Sequence, residues 1–229
     1  MKKVLPVLLL ITFCSCKNAI DKTLSKESFN DDVKTIVKEN AKDYTSEDFA
    51  EFRENASNKI TAQFLGINKK EKVTYRSILD TVKAHRLKDV AEIAAYNAAI
   101  KAIKEKIRFK ILAGKYGEEE FSKGYAIGYS YTDNDSKNIE AFEVDIKAYD
   151  KLDNQVFHGF VKYTTPIKTG VVNKDVKAFY LLTEDDAETL KNTPYEKLRF
   201  DFVPTKIAFE NGTKLEAPKK PYALIKKED

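Results

Sequence analysis

Histidine and cysteine, which supply most metal ligands and many catalytic nucleophiles, are scarce in this 229-residue chain. It contains two histidines, His85 and His158, and two cysteines, Cys14 and Cys16. No motif joins the histidines, so the sequence predicts that each is a surface or packing residue. Zinc, haem and iron–sulfur sites would find almost no ligands in the body of the protein. We therefore expect no metal site and no cofactor.

Motifs for nucleophilic or phosphate chemistry are also missing from the sequence. There is no Gly-x-Ser-x-Gly elbow, and the stretch from Gly124 to Gly128 alternates like a strand and lacks a following Lys-Ser/Thr. Asp133-Asn134-Asp135 resembles the start of a calcium loop, but Asn138 and Val144 stand at the positions that need Gly and Glu, so a polar turn is predicted. The sequence predicts a protein that is not an enzyme. A carboxylate-dependent hydrolase of envelope material remains the alternative.

The N-terminal segment is the strongest signal in the chain. Lys2 and Lys3 precede an apolar run from Val4 to Phe13, and Cys14-Ser15-Cys16 follows. A run this short cannot cross about 30 Å of hydrocarbon as a helix, which takes roughly 20 residues. Residues 1–15 are therefore predicted to be a signal peptide and not a membrane-spanning anchor.

This arrangement resembles the bacterial lipoprotein precursors, whose lipobox ends at a cysteine that becomes the lipidated first residue. Ser15 is the small residue expected before that cysteine, whereas Phe13 and Cys14 depart from the usual Leu and small residue. The resemblance implies acylation of Cys16, with palmitate among the chains. The alternative is an ordinary cleaved signal with two incidental cysteines. No later cysteine could pair with either one, which favours lipidation.

The same resemblance implies a location in the cell envelope. Lys17 is not the Asp that retains some lipoproteins in the inner membrane, so attachment to the outer membrane is expected, on its periplasmic or surface face. Residues 16–27 are polar and are predicted to be a lipidated tether. The acylated Cys16 would bind the lipid membrane stably, because several acyl chains give stable attachment whereas a single acyl chain binds only marginally. Export argues against nucleic acid as a partner.

Composition supports a soluble globular body behind this anchor. Hydrophobic residues make up 42% of the chain and charged residues 33%. The formal net charge is +4, and residues 16–115 carry 21 basic and 15 acidic side chains (net +6). Because the whole chain is only +4, its positive charge is concentrated in these residues. This uneven distribution fits two regions, the more basic one nearer the membrane.

Apolar spacing of three and four residues predicts helices in the first half of the body. Helices are expected after Ser25, after Thr45 with a capping box to Asp48, and after Thr74, and a longer one from Leu87 to about Leu112. The pattern from Phe29 to Leu79 resembles a family of small bacterial lipoproteins of unknown function. That resemblance brings no catalytic residues.

Four cations are expected to share one side of the long helix. They are Lys101, Lys104, Arg108 and Lys115. A solvated polar face is the ordinary interpretation, and a contact with lipid headgroups is a second use.

Period-two alternation predicts strands after Gly117. Strands are expected at 125–131, 142–148, 156–164, 176–182 and 198–203, with a final hairpin at Asn211-Gly212. The run from Phe142 to Phe209 resembles immunoglobulin-like modules of bacterial envelope lipoproteins, without the Cys and Trp of the antibody core. The predicted fold class is α+β: an N-terminal helical bundle (28–116) followed by an antiparallel, immunoglobulin-like β-sandwich (117–229).

A stripe of tyrosines on the first strand is the candidate contact surface. Tyr125, Tyr129 and Tyr131 share one side of that strand. If exposed, they would bind an envelope protein or polymer; the alternative is that they are half-buried strand aromatics. The sequence thus predicts a membrane-anchored lipoprotein that acts as a noncatalytic envelope interaction module.

Overall fold

The computed structural model describes residues 18–67, 72–119, 122–181 and 183–225. The predicted signal peptide and Cys16 lie outside these ranges, so lipidation stays a prediction. The chain divides into two compact units, the first ending at Val90 and the second beginning at Ala91.

The fold is α+β, with helices first and two antiparallel sheets after them. Two short 3₁₀ turns lie at Ala19–Asp21 and Tyr195–Lys197. The helices are α1 (Phe29–Asn40), α2 (Ser46–Phe64), α3 (Tyr75–Lys104), α4 (Glu184–Asn192) and α5 (Tyr222–Ile225). The strands are β1 (Ile107–Glu119), β2 (Ser122–Asp133), β3 (Ile139–Tyr149), β4 (Gln155–Tyr163), β5 (Val172–Tyr180), β6 (Arg199–Phe209) and β7 (Lys214–Glu216).

The first unit packs α1, α2 and the start of α3 around a small apolar core. Phe52, Tyr75 and Leu79 are fully buried there. Ile20 and Leu24 are buried in the same core, so the described end of the predicted tether packs against the helices. The predicted capping box begins α2: the Thr45 hydroxyl accepts from the Asp48 N–H, and the Asp48 carboxylate accepts from the Thr45 N–H. Two of the backbone donors that a helix start leaves unpaired are satisfied in this way.

The third helix differs from the prediction at both its middle and its end. The chain forms one helix, α3, where two were expected with a break near Leu87, and it leaves the helix at Lys104, eight residues before Leu112. Ile107 and Ile111 fit a helical stripe, but with Phe109 they also alternate with Arg108 and other polar residues. Pairing with β2 selects the second pattern, because it joins β1 to a long antiparallel ladder.

Two antiparallel sheets make up most of the second unit. The three-stranded sheet has the order β1-β2-β5, and the four-stranded sheet has the order β4-β3-β6-β7. The first strand of the three-stranded sheet, β1, begins at Ile107, within the segment predicted to be helical. Asn211-Gly212 turns β6 into β7 as predicted, with Gly212 at a φ of 80°. This topology does not confirm the expected immunoglobulin-like arrangement.

The inner faces of the two sheets pack on each other through aromatic rings. Tyr131 of β2 meets Phe142 of β3 with ring centroids 5.1 Å apart, and Phe109 of β1 stacks on Phe202 of β6 at 5.2 Å. The fully buried side chains include Ile127, Val144 and other inward residues of both sheets. A sandwich core of this kind leaves each sheet with one outer face, and those faces are where function must be sought.

Candidate functional site

The predicted tyrosine surface is wrong, because all three side chains lie in the sandwich core. Tyr125, Tyr129 and Tyr131 are 1%, 0% and 1% exposed. Burial raises the pKa of Tyr125 to about 12, and the pKa values of Tyr129 and Tyr131 rise further, also mainly through burial. The rings supply packing area to the core, so a partner has no access to them.

The opposite side of the same strand belongs to a surface that we call the open sheet face, which is exposed along β1 and β5 and buried at Gly128 and Ser130 of the central strand. It is the outer face of the three-stranded sheet, made by alternate residues of β1, β2 and β5 whose register is continuous across the sheet. Its members are Arg108, Lys110, Ala113, Lys115 and Gly117 of β1, Gly124, Ala126, Gly128, Ser130 and Thr132 of β2, and Val172, Lys174, Val176, Ala178 and Tyr180 of β5.

The open sheet face is cationic. Arg108, Lys110 and Lys115 stand on β1 and Lys174 on β5, and all four side chains are exposed. None of them forms an ion pair or hydrogen bond with another residue in the described ranges. No residue of the face as defined above is acidic. Among the described side chains, these four cations therefore remain available to an anionic partner.

Large apolar side chains line the β5 margin of the open sheet face. Val172 is 61% exposed, Val176 is 68% exposed and Tyr180 is 81% exposed. They alternate with Lys174 and Ala178, so apolar and cationic groups lie on the same side of one strand. Grouped exposure of this kind marks contact surfaces more often than single exposed residues do.

The centre of the open sheet face is low because β2 presents only small residues there. A Cβ placed on Gly128 would stand 3.5 Å from the Cβ of Ala113, an ordinary contact with the neighbouring strand. Near Gly124, Ala126 and Ala178 the surface forms a shallow cavity of about 430 Å³. A flat partner could thus approach the backbone of the sheet closely.

The outer face of the four-stranded sheet is different, because helix and C-terminal residues stand over it. Tyr96 and Ile100 of α3, Asp145 of β3 and Leu224 of α5 line a cleft of about 380 Å³ together with His158 and Asp201. Tyr96 and Ile100 are 9% and 8% exposed. This face has an internal cover, whereas Lys110, Val176 and Tyr180 of the open sheet face are exposed.

The carboxylates of this cleft each have a side-chain partner. The Asp145 Oδ1 lies 3.0 Å from the His158 Nε2, and the Asp201 Oδ1 accepts from the Lys104 Nζ at 2.9 Å. His158 stands on the outer side of β4 with Phe160, as a sheet residue. The sequence did not single out Asp145 and Asp201 as a pair, since they come together only when β3 and β6 form a ladder.

The remaining candidates from the sequence occupy ordinary structural positions. His85 is exposed and lines a groove of about 670 Å³ between α2 and α3 in the first unit. Asp133 is fully buried and accepts from the backbone N–H groups of Asp135 and Ile139 at 2.8 and 3.0 Å, which confirms the predicted polar turn. Of the four cations expected on one helix face, Lys101 and Lys104 are on α3, whereas Arg108 and Lys115 are on β1.

The described ranges contain neither a metal-ligand cluster nor a membrane-spanning helix. No three His, Cys, Asp or Glu side chains within those ranges come close enough to hold one metal ion. None of the helices described above is long and apolar enough to cross a membrane.

Comparison with known proteins places the chain in no family. No protein-family model and no curated protein matches the sequence. Among solved structures, the structural-genomics target SoR45 is 13% identical over 52% of this chain and 86% of its own, with a TM-score of 0.31. The ApaA protein of Bordetella pertussis is 12% identical over 50% of this chain and 95% of its own, with a TM-score of 0.27. The trimeric lipoprotein SadB of Salmonella enterica is 7% identical over 84% of this chain and 98% of its own, with a TM-score of 0.26. These likenesses are distant, and no function is inferred from them.

The open sheet face was the feature that sequence analysis missed. Its signal was present in the small residues that alternate with the tyrosines, from Gly124 through Ser130. Which side of β2 faces the core depends on where the second sheet packs, and alternation alone does not specify that side. The exposed residues of β5 complete the face from about fifty residues further along the chain.

Proposed function

We propose that this chain is a lipid-anchored, noncatalytic interaction module of the bacterial envelope, and that its contact surface is the open sheet face. The anchor is the acylated Cys16 implied by the lipobox resemblance. The tyrosine stripe cannot be this surface, because its side chains are buried in the core.

The observation that carries this proposal is the contrast between the two outer faces of the sandwich. One face has a cover and pairs its charges internally, as Asp201 does with Lys104. The other combines exposed Val176 and Tyr180 with cations, such as Lys110, that have no ion-pair partner among the described residues. Desolvating exposed apolar area and pairing free cations are both favourable on binding, so this face is the one with binding free energy to gain.

Labelling with radioactive palmitate tests the anchor. The full-length chain and a Cys16→Ala variant are expressed in a Gram-negative host, and their membranes are separated by density. We expect label and membrane retention in the wild type and loss of both in the variant. Persistence of label in Cys16→Ala, or a soluble unlabelled wild type, would show that the lipoprotein prediction is wrong.

Site-specific photocrosslinking in the envelope tests the contact surface. A benzoylphenylalanine residue replaces Val176 on the open sheet face or, as a control, Leu152, which is 81% exposed in the turn before β4. The proposal expects crosslinked products at Val176 and few at Leu152. Equal yields at both positions would count against the open sheet face as the contact surface.

The covered cleft keeps hydrolysis as a second candidate function. Asp145, His158 and Asp201 line one concave site, and a carboxylate pair is the minimum that acid–base hydrolysis needs. Purified protein incubated with peptidoglycan and with envelope lipids should release no products under the first proposal. Release that disappears in Asp145→Asn or Asp201→Asn would replace the first proposal with the second.

A further inference from the structure

We propose that the partner of the open sheet face is an anionic phospholipid bilayer, on whose surface the second unit lies by this face. The inference rests on the proposed function, because it names the partner of the same surface. The lipid anchor would bring the protein to the membrane, and the face would provide a second, noncovalent contact with it.

Charge complementarity is the first argument for this partner. Lys110 of β1 and Lys174 of β5 flank Ser130 in one row across the sheet, which places their backbones about 10 Å apart at the usual strand spacing. Arg108 and Lys115 extend the charge along β1. Glu118, which lines the shallow cavity at one end of the face, pairs with Lys191 at 3.0 Å and not with these cations, so lipid phosphates can pair with all four.

The apolar margin supplies what a purely ionic surface would lack. Val172 and Val176 point to the same side as Lys174, so they can enter the acyl boundary while the ammonium group stays with the headgroups. Tyr180, at the end of β5, has the apolar ring and polar hydroxyl that favour the membrane–water interface. Aliphatic, aromatic and cationic groups together match the layers of a bilayer surface.

The shape of the face distinguishes a bilayer from an acidic protein or polymer. A protein or polymer of fixed structure would be recognised by directed hydrogen bonds, but Ser130 and Thr132 are the face's hydroxyl groups besides Tyr180, and it has no amide side chains. Lipids diffuse laterally, so their phosphates can reach cations at any spacing. The low centre formed by Gly124, Ala126 and Gly128 places no bulky side chain between the two cationic strands.

Vesicle cosedimentation tests the inference without the covalent anchor. The full-length chain carries Cys16→Ser, and it is mixed with vesicles of equal parts phosphatidylglycerol and phosphatidylcholine or of phosphatidylcholine alone. The face variant is Lys110→Glu with Lys174→Glu. The matched control is Lys151→Glu with Lys214→Glu, which makes the same charge change at exposed positions outside the face.

We expect the face variant to lose at least about tenfold in its partition onto phosphatidylglycerol vesicles, and the control to keep the wild-type value. All three proteins should bind phosphatidylcholine equally, since they share the same N-terminal segment. Added salt should weaken the wild type and leave the face variant nearly unchanged. Lys110→Gln with Lys174→Gln, which removes the two charges without reversing them, should give an intermediate loss.

The apolar part of the contact has its own variant. Val176→Ser with Tyr180→Ser should lower partition several-fold even at high salt, whereas Leu152→Ser should not, because Leu152 is equally exposed but lies in the turn before β4. Equal losses in both variants would argue against a specific apolar contact and would overturn this part of the inference.

The two proposals fail in different ways. If the face and control variants bind phosphatidylglycerol vesicles equally, the bilayer inference is wrong. If Val176 then still crosslinks to a protein or polymer in the envelope, the face remains the contact surface and only its partner changes. If neither vesicles nor crosslinks distinguish the face, the proposed function fails together with the inference.

Discussion

Among single residues, the hydroxyl groups of the buried tyrosines differ most sharply in their surroundings. The Tyr125 hydroxyl is buried against Gly114 and has no hydrogen-bond partner among the described residues. The Tyr129 hydroxyl donates to the Asp175 Oδ2 at 3.3 Å. A buried hydroxyl without a partner carries its desolvation cost without a compensating bond. The hydroxyl group of Tyr125 therefore lowers the stability of the folded state, whereas the hydroxyl group of Tyr129 raises it.

Substitution by phenylalanine should separate these contributions. Tyr125→Phe is expected to raise the free energy of unfolding by about 1 kcal/mol, because it removes an unpaired polar group. Tyr129→Phe is expected to lower it by about 1 kcal/mol, because it removes a bond to a carboxylate. Urea titration followed by circular dichroism measures both. Equal destabilisation of the two variants would contradict the argument.

Asp48 is the second residue whose role is local and measurable. Its side chain is fully buried, and the Arg86 guanidinium donates to it at 2.7 and 3.1 Å while the Thr45 N–H donates at 2.8 Å. Asp48→Asn should lower the free energy of unfolding of the first unit by about 2 kcal/mol, since cap and ion pair weaken together. Glu47→Gln, one residue earlier and exposed, should change it by less than about 0.5 kcal/mol. Thermal melts of both variants check this difference.

At the scale of elements, the sequence predicts best where local chemistry decides. The capping box of α2 and the Asn211-Gly212 hairpin were predicted because the residues that form them are close in the chain. The β1 strand was not, because Ile107 and Ile111 fit both periods and the choice depends on pairing with β2. The open sheet face was not predicted for the same reason, because it combines strands that meet only in the folded sheet.

Substitution of two strand glycines would show how tightly the strands pack against their neighbours. A Cβ on Gly159 of β4 would lie 2.6 Å from the Phe179 Cε1 and 2.8 Å from the Phe157 Cζ, whereas a Cβ on Gly117 of β1 would meet nothing within 4 Å. Gly159→Ala should lower the free energy of unfolding by about 1–3 kcal/mol, through displacement of the two rings. Gly117→Ala should be neutral or slightly stabilising, which denaturant titration of the pair would reveal.

At the scale of the whole molecule, burial and pairing set a pH range of stability. Burial opposes ionisation of Asp32 and Asp48, but hydrogen bonds from Lys22 and Ser28 to the first and from Arg86 to the second outweigh it, so both pKa values are lowered. Folding then releases protons, and this stabilisation is present above about pH 4 and lost as pH falls through the lowered pKa values.

The alkaline limit of the stable pH range is set by buried tyrosines, whose pKa values are raised and not lowered. Burial raises the pKa of Tyr44 and of Tyr125 to about 12, so the folded state favours their neutral forms. That stabilisation is complete below about pH 10 and lost as pH rises toward 12. We expect the urea midpoint to be nearly constant between about pH 5 and 9 and to fall on both sides. A steep change between pH 6 and 8 would show that another group dominates.

The position of β5 at the end of its sheet has a consequence for how the protein behaves at high concentration. Its outer backbone edge has no neighbouring strand within the described part of the chain, and such an edge can template growth of a fibril from further copies. Lys174, Asp175 and Lys177 place charges along that edge and discourage such growth. Neutralising them while keeping Val172 and Val176 should convert a well-behaved solution into one that gels or deposits amyloid-like material. Thioflavin fluorescence would report that conversion.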